Sequence, residues 1–278
     1  MIALIHRIVG SRWRKQLGIV LCLSLLCGVP QAGAEWYVAG YGGISAPNSL
    51  KNVKMDELGR RTDTELFSGA LNPPFTGTLT QSLQTSDLSL KHSPLFGGRA
   101  GYFFVDEGLS WLGVELEAFT TQPTIKRQSV QTSHDVTYLP FSPDFNPPPP
   151  APLPNCTLGQ TCQIQRRIPG TLQVDESSMR LITVAFNVVA RYPGTVFQPY
   201  VGAGVGAFYF SSSGQISGRQ VAPGVNLFTG LKVRATDEWG IFVEGKYTRA
   251  TITNLDPSFG LTGEYSAFHA VAGIAYHF

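Results

Sequence analysis

The sequence predicts an all-β fold: an eight-stranded antiparallel up-and-down transmembrane β-barrel with long extracellular loops. Three observations predict it. The last fifteen residues, Glu264–Phe278, alternate strictly. Phe268, Ala270, Ala272, Ile274, Tyr276 and Phe278 fall on one face of an extended strand; Tyr265, Ala267, His269, Val271, Gly273, Ala275 and His277 fall on the other. Seven further strand-like segments precede it, joined by connections that alternate long and short. Within the segments, charged residues keep to the parity opposite the aliphatic ones, as hydrocarbon on one side of a strand would require.

The chain opens on a predicted signal peptide, residues 1–34. Arg7, Arg12, Arg14 and Lys15 make a basic start, Leu17–Val29 is apolar, and Ala32-Gly33-Ala34 offers a small-residue cleavage site before Glu35. Cys22 and Cys27 lie inside the apolar run without the Leu-x-small-Cys pattern of a lipoprotein. Residues 1–34 hold four of the 21 Lys and Arg and none of the 19 Asp and Glu, which leaves 17 basic against 19 acidic residues in the mature chain. The formal +2 of the whole chain therefore belongs to the signal, and nucleic acid is not an expected partner. Charged residues are 14% of the chain, against about a quarter in soluble domains. No run reaches the roughly 18 apolar residues of a membrane helix, so strands must do any crossing.

The mature part, 35–278, reads as a single barrel domain. Its strands are predicted at Trp36–Ser45, Leu95–Phe104, Trp111–Thr120, Arg180–Tyr192, Phe197–Ser211, Gly224–Ala235, Trp239–Thr251 and Glu264–Phe278. Most reach the 9–11 residues that a tilted strand needs to cross hydrocarbon. The short connections are Val105–Ser110, Pro193–Val196 and Thr236–Glu238, built on Gly, Pro and Asp turn chemistry. The long ones are about 46–94, 121–179, 212–223 and 252–263. With both termini periplasmic, every short turn falls on the periplasmic side, the asymmetry of bacterial outer-membrane barrels.

Two outer loops are large. The first, 46–94, carries Lys51, Lys54, Asp56, Glu57, Arg60, Arg61, Asp63 and Glu65, a mixed-sign solvated segment. The second, 121–179, contains the run Pro147–Pro154, expected as a stiff polyproline II spacer. Cys156 and Cys162 follow it, five residues apart, and in an exported chain predict a small disulfide loop. No His lies between Asp135 and Arg191, so a metal site there is not expected. His92 and His134 fall in predicted loops.

The parities are explicit. Leu112, Val114, Leu116 and Ala118 oppose Glu115, Glu117 and Phe119; Val225, Leu227 and Leu231 oppose Asn226, Lys232 and Arg234. Ile241 and Val243 oppose Glu244 and Lys246, Ala100 and Tyr102 oppose Arg99, and Val184, Phe186 and Val188 oppose Asn187 and Arg191. Arg99, Glu115, Glu117, Arg191, Lys232, Arg234, Glu244 and Lys246 are thus predicted to meet as a charge network in the lumen, because buried charges must pair. Gly202, Gly204 and Gly206, on the inward parity, are expected to leave room for these long side chains. Their G-x-G-x-G spacing lacks the strand–turn–helix setting of a dinucleotide motif. Trp36, Tyr37, Phe104, Trp111, Tyr192, Phe197, Trp239, Tyr276 and Phe278 gather at the predicted periplasmic ends as an interfacial girdle.

Three pieces, WYVAGYGG at Trp36–Gly43, PYVGAGVGAFYF at Pro199–Phe210 and AYHF at Ala275–Phe278, resemble the small outer-membrane β-barrel family. These are the OmpA/opacity-type proteins often labelled porin-like, and the resemblance covers Glu35–Phe278. It implies the bacterial outer membrane, with outer-membrane lipid as surroundings. It implies that Ile274, Tyr276 and Phe278 are read by the assembly machinery. It leaves adhesin, structural and narrow-channel roles open. A peptidoglycan-binding domain after the barrel is not expected in this chain.

An eight-stranded barrel is just wide enough for its interior to be filled by side chains. The leading expectation is therefore a structural or adhesin-like role carried by the outer loops, with host or surface ligands as partners. A narrow porin-like channel for small solutes is the alternative. A barrel-embedded lipid hydrolase would need a nucleophile and base in reach. In lipid A deacylase barrels the His and Ser sit two apart on one strand and face outward; here His269 is followed at that spacing by Val271 and points inward. No enzyme activity and no cofactor is expected. A lipocalin-like soluble barrel would carry the inverse parity.

Overall fold

The computed structural model describes residues 35–61, 80–138 and 164–278. The signal peptide, Asp63, Glu65, the polyproline run and both Cys156 and Cys162 lie outside the described residues. In chain order the strands are β1 (Glu35–Pro47), β2 (Lys51–Met55), β3 (Thr80–Thr85), β4 (Leu90–Lys91), β5 (Ser93–Phe104), β6 (Leu109–Thr121) and β7 (Thr124–Ile125). There follow β8 (Gln128–Tyr138), β9 (Ile164–Val174), β10 (Ser177–Arg191), β11 (Phe197–Ser213), β12 (Gly218–Arg234), β13 (Trp239–Ile252) and β14 (Leu261–His277).

Eight of these form the wall, each antiparallel to the next, in the order β1-β5-β6-β10-β11-β12-β13-β14. The ring seals where β1 pairs with β14, from Tyr37 opposite His277 to Pro47 opposite Ala267. All eight coincide with predicted strands, several running two to six residues further at the outer end. Closure leaves no free edge, which is what a strand in lipid needs. At the seam a Cβ on Gly43 would collide with the Ala270 carbonyl oxygen, so only glycine lets β1 and β14 approach. Gly108 holds a φ of 75° in the β5–β6 turn, a conformation that favours glycine.

The wall faces as a membrane protein does. Val184 and Ile274 are 47% and 54% exposed on the outside, while Glu117 and Lys246 are 0% and 2% exposed within. Leu116, Phe186, Val188, Val201, Val243 and Phe268 complete the apolar belt. Trp36 packs on Tyr102, and Trp239 on Tyr276, at the end that carries the short turns. Tyr37 is not part of that girdle: it is buried and points into the lumen. It belongs to the inward parity of β1, next to Trp36 on the outward one.

The long connections differ from expectation. The segment 212–223 is not a long loop, because β11 and β12 extend to Ser213 and Gly218 and leave a turn of 214–217. Loops 46–94 and 121–179 carry strands of their own, together with a helical turn over 56–61. From β14 the sheet continues outward through β2, β3, β8 and β9, while β4 and β7 pair beside β10. His134 accordingly lies buried in β8 rather than in a loop.

The polarity of the two faces inverts along the same strands. In β10, Val184 and Phe186 point out and Asn187 points in; further up, Arg180 points out while Leu181 and Met179 are buried inside. The same reversal occurs in β14, where Leu261 and Tyr265 are inside and Glu264 outside. Above the inversion the barrel is built like a water-soluble one, with an apolar interior. Phe208, Phe210, Ile252 and Tyr265 of the wall pack there with Val53, Met55, Leu83, Ile125, Val130 and Val174 of the added strands. The change marks where hydrocarbon ends and water begins.

Candidate functional site

The lumen below that apolar core holds a continuous polar network. Arg99 on β5 sends Nη1 to Glu244 Oε2 at 2.7 Å and lies 3.5 Å from Glu115 Oε2. Its Nη2 reaches Tyr200 Oη at 3.2 Å, and that hydroxyl donates to Glu244 Oε2 at 2.8 Å. The guanidinium also stacks over the Phe242 ring, 4.2 Å from its centroid. Glu117 on β6 pairs with Lys246 on β13, directly across the barrel, and accepts the Tyr41 hydroxyl. Lys246 Nζ is also 3.4 Å from Glu244 Oε1.

Neutral groups complete the coordination of the carboxylates. Tyr37 donates to Glu115 Oε2 at 2.5 Å, and Asn187 donates to Glu115 Oε1 at 2.9 Å. Asn226 donates to Glu117 Oε2 at 3.0 Å. Five aromatic rings, Tyr41, Phe119, Tyr200, Phe228 and Phe242, wall the two central cations. Sequence reading passed over Tyr37, Tyr41, Asn187 and Tyr200 as network members, although each lies on the inward parity; neutral hydroxyl and amide groups gave no charge signal to follow.

Three of the predicted network residues, Arg191, Lys232 and Arg234, stand apart from the central network. Arg191 belongs to a second cluster at the periplasmic end, where its Nη1 meets Glu35 Oε1 at 2.6 Å and its Nε donates to the Ser110 carbonyl at 3.0 Å. His277 Nδ1 lies 2.7 Å from the same Glu35 oxygen, and Lys232 Nζ is 3.1 Å from His277 Nε2. Glu35 was read only as the first mature residue, and its role depends on the ring closing. Arg234 is half-exposed at the rim and donates to the Asp237 carbonyl in the β12–β13 turn, so it joins neither cluster. The remaining five, Arg99, Glu115, Glu117, Glu244 and Lys246, are all buried, as are Arg191 and Lys232.

The glycines of β11 serve a different purpose from the one expected. A Cβ on Gly202 would meet the Phe228 ring, and one on Gly204 would meet Asn187. The space they release holds an aromatic ring and an amide, not the long charged side chains. Between the two charge clusters lies a cavity of about 20 Å³, lined by Tyr37, Arg99, Phe103, Glu115, Arg191 and Lys232. That is room for about one water molecule. His269 is 3.0 Å from Thr248 Oγ1, with the Phe119 ring edge-on to it, and no serine, cysteine or carboxylate hydrogen-bonds to it among the described residues.

Comparison with known proteins fits this architecture. The family model described as outer membrane protein beta-barrel domain matches residues 18–278. Among solved structures, Neisserial surface protein A is 12% identical with a TM-score of 0.42, the match covering 89% of this chain and all of that one. The outer membrane protein OprG from Pseudomonas aeruginosa is 16% identical with a TM-score of 0.40, covering 89% and 96%. Ail, the attachment invasion locus protein of Yersinia pestis, was solved in complex with the heparin analogue sucrose octasulfate; it is 12% identical with a TM-score of 0.39, covering 89% and 100%. No curated protein matches the chain. The family assignment rests on the family model, which spans nearly the whole chain: the protein belongs to the outer membrane β-barrel family and resides in the bacterial outer membrane as a closed eight-stranded barrel.

Proposed function

We propose that this barrel is a closed anchor for a surface-exposed β-structure, and that its biological role is interaction at the cell surface rather than solute transport or catalysis. The observation that carries the reading is the double stopper in its lumen. The lower half is filled by ion pairs and aromatic rings around Arg99, Glu117 and Lys246. The outer mouth is filled by the apolar core of Phe208, Phe210, Tyr265 and the strands that fold over them. A channel has no use for an apolar seal of that thickness, whereas a display scaffold gains a rigid base from it. The extension β2-β3-β8-β9 carries exposed polar side chains such as Lys54, Gln84, Gln131, Thr171 and Gln173, suited to contact with a hydrated surface. Ail's complex with a sulfated heparin analogue shows such a ligand on one similar barrel, and a sulfated or otherwise acidic glycan is a reasonable first probe here.

Planar-bilayer recording and cell binding test the proposal together. The reconstituted protein is expected to give no steady openings. Cells displaying it are expected to bind a glycan-coated surface, and to lose that binding when 51–85 and 128–174, which carry β2, β3, β8 and β9, are replaced by short turns while the wall strands are kept. Steady conductance would favour the narrow-channel alternative, in which the buried ion pairs act as a gate.

A further inference from the structure

We propose that the outer wall of β10, β11 and β12 is a binding site for a phosphate-bearing lipid of the outer leaflet, with Arg180 and Arg219 as its headgroup clamp. This site lies on the lipid face and does not depend on the surface-interaction role of the extension.

The register places the two arginines on one row. Arg180 pairs with Ser211, and Ser211 pairs with Arg219, so the arginines flank a serine on the same outward face. Two strand spacings separate their Cα atoms by roughly 10 Å. Both are exposed, and neither makes an ion pair or hydrogen bond among the described residues. The row directly beneath is Ile182, Tyr209 and Val221, the upper edge of the lipid-facing surface on these strands. Two unpaired guanidinium groups therefore stand at the boundary where hydrocarbon gives way to headgroups. Arg249, outward on neighbouring β13, is by contrast neutralised within the protein by Glu264 at 2.5 Å. Arg180 and Arg219 are left to be neutralised from outside, and phosphate oxygens match a guanidinium bidentately.

The wall below them is shaped to receive a chain. Val205, Ala207, Val221, Pro223 and Val225 line a shallow trough on the outer face, bounded on the β13 side by Arg249 and Thr251. Its floor includes the main chain of Gly206 and Gly224, which pair across β11 and β12. An acyl chain laid in the trough would bring its headgroup up to Ser211 between the arginines. Charge above and apolar trough below together specify an amphiphile, not a free anion.

Native mass spectrometry of the whole protein, released from nanodiscs of phosphatidylcholine doped with bis-phosphorylated lipid A, tests the site. Wild type is expected to retain lipid A adducts. The R180Q/R219Q variant should lose retention about five-fold per arginine and on the order of thirty-fold together. R180K/R219K should keep most of it. Dephosphorylated lipid A should be retained poorly by wild type, a comparison that stands even if a variant fails to fold. Equal retention by wild type and R180Q/R219Q would overturn the proposal, as would equal retention of the dephosphorylated lipid. Displacement of the adduct by inorganic phosphate would show a simple anion site and overturn the assignment to lipid.

Discussion

Glu117 and Lys246 meet at the centre of the barrel from opposite walls, their side chains 0% and 1% exposed. Three strands separate β6 from β13 in either direction around the ring, so this ion pair ties together the two most distant parts of the wall. Neither charge has water to fall back on. Removing one partner leaves the other buried and uncompensated, at a cost of about 3–5 kcal/mol. K246M and E117Q are each expected to lower the unfolding free energy, measured by urea titration, by that amount, followed by the shift between folded and heat-denatured gel mobility. The double variant should lose clearly less than the sum of the two, because it leaves no orphaned charge. Additive losses would mean that the pair does not act as a unit.

The seam between β1 and β14 gives a second expectation. Gly43 has the Ala270 carbonyl and the Val271 backbone where a side chain would go. G43V should therefore prevent close pairing of the first and last wall strands and leave most of the protein in the unfolded gel band. Gly40, with open space around its Cβ position, is the matched control. G40A should fold like the wild type.

Lipid contact is tested on the belt. Val184 is exposed on the outward parity of β10, one residue along from the buried Thr183 and Ala185. V184R is expected to cost about 2–4 kcal/mol of folding free energy in lipid vesicles, whereas V184L should be nearly neutral. A soluble barrel would tolerate both. Equal folding of the two variants would remove hydrocarbon from the outside of this wall.

The β8–β9 hairpin should show a modest pH dependence. Arg167 donates to Asp135 across it, Nε to Oδ1 at 2.6 Å, and this hydrogen bond holds the Asp135 carboxyl below its usual range. A depressed folded-state pKa means that the contribution is present above the unfolded value of about 3.9 and is lost as pH falls through the folded one. Amide exchange, corrected for intrinsic rates, should show protection of the hairpin falling below about pH 4. D135N should remove that dependence. Because the pair is exposed, the effect should also weaken with salt.

Much of this molecule was legible in its sequence because a strand exposes its environment with a period of two. Val114, Val184 and Ile274 had to face one side and Glu117 and Lys246 the other, whatever the tertiary detail. The eight wall strands follow from that alternation and from the turns between them, and so does the burial of Arg99 and Glu244. Along β12 and β14 the same rule reads on past the membrane, but the sequence alone did not say where inward changes from polar to apolar. The segment 212–223 was therefore read as a loop although it continues two paired strands.

Only closure of the ring decided the rest. Glu35 meets Arg191 across 156 residues of sequence, and no local pattern announces that contact. Arg234 has the right parity yet lies at the rim, because parity fixes the face of a strand and not the depth at which a residue sits. The strands within 46–94 and 121–179 form by pairing with β14 and with one another over long sequence separations, so their short, polar segments carry little signal of their own. Alternation is a local property, fixed by backbone geometry and solvent; depth, pairing and the stoppered lumen are properties of the closed barrel, and needed its coordinates.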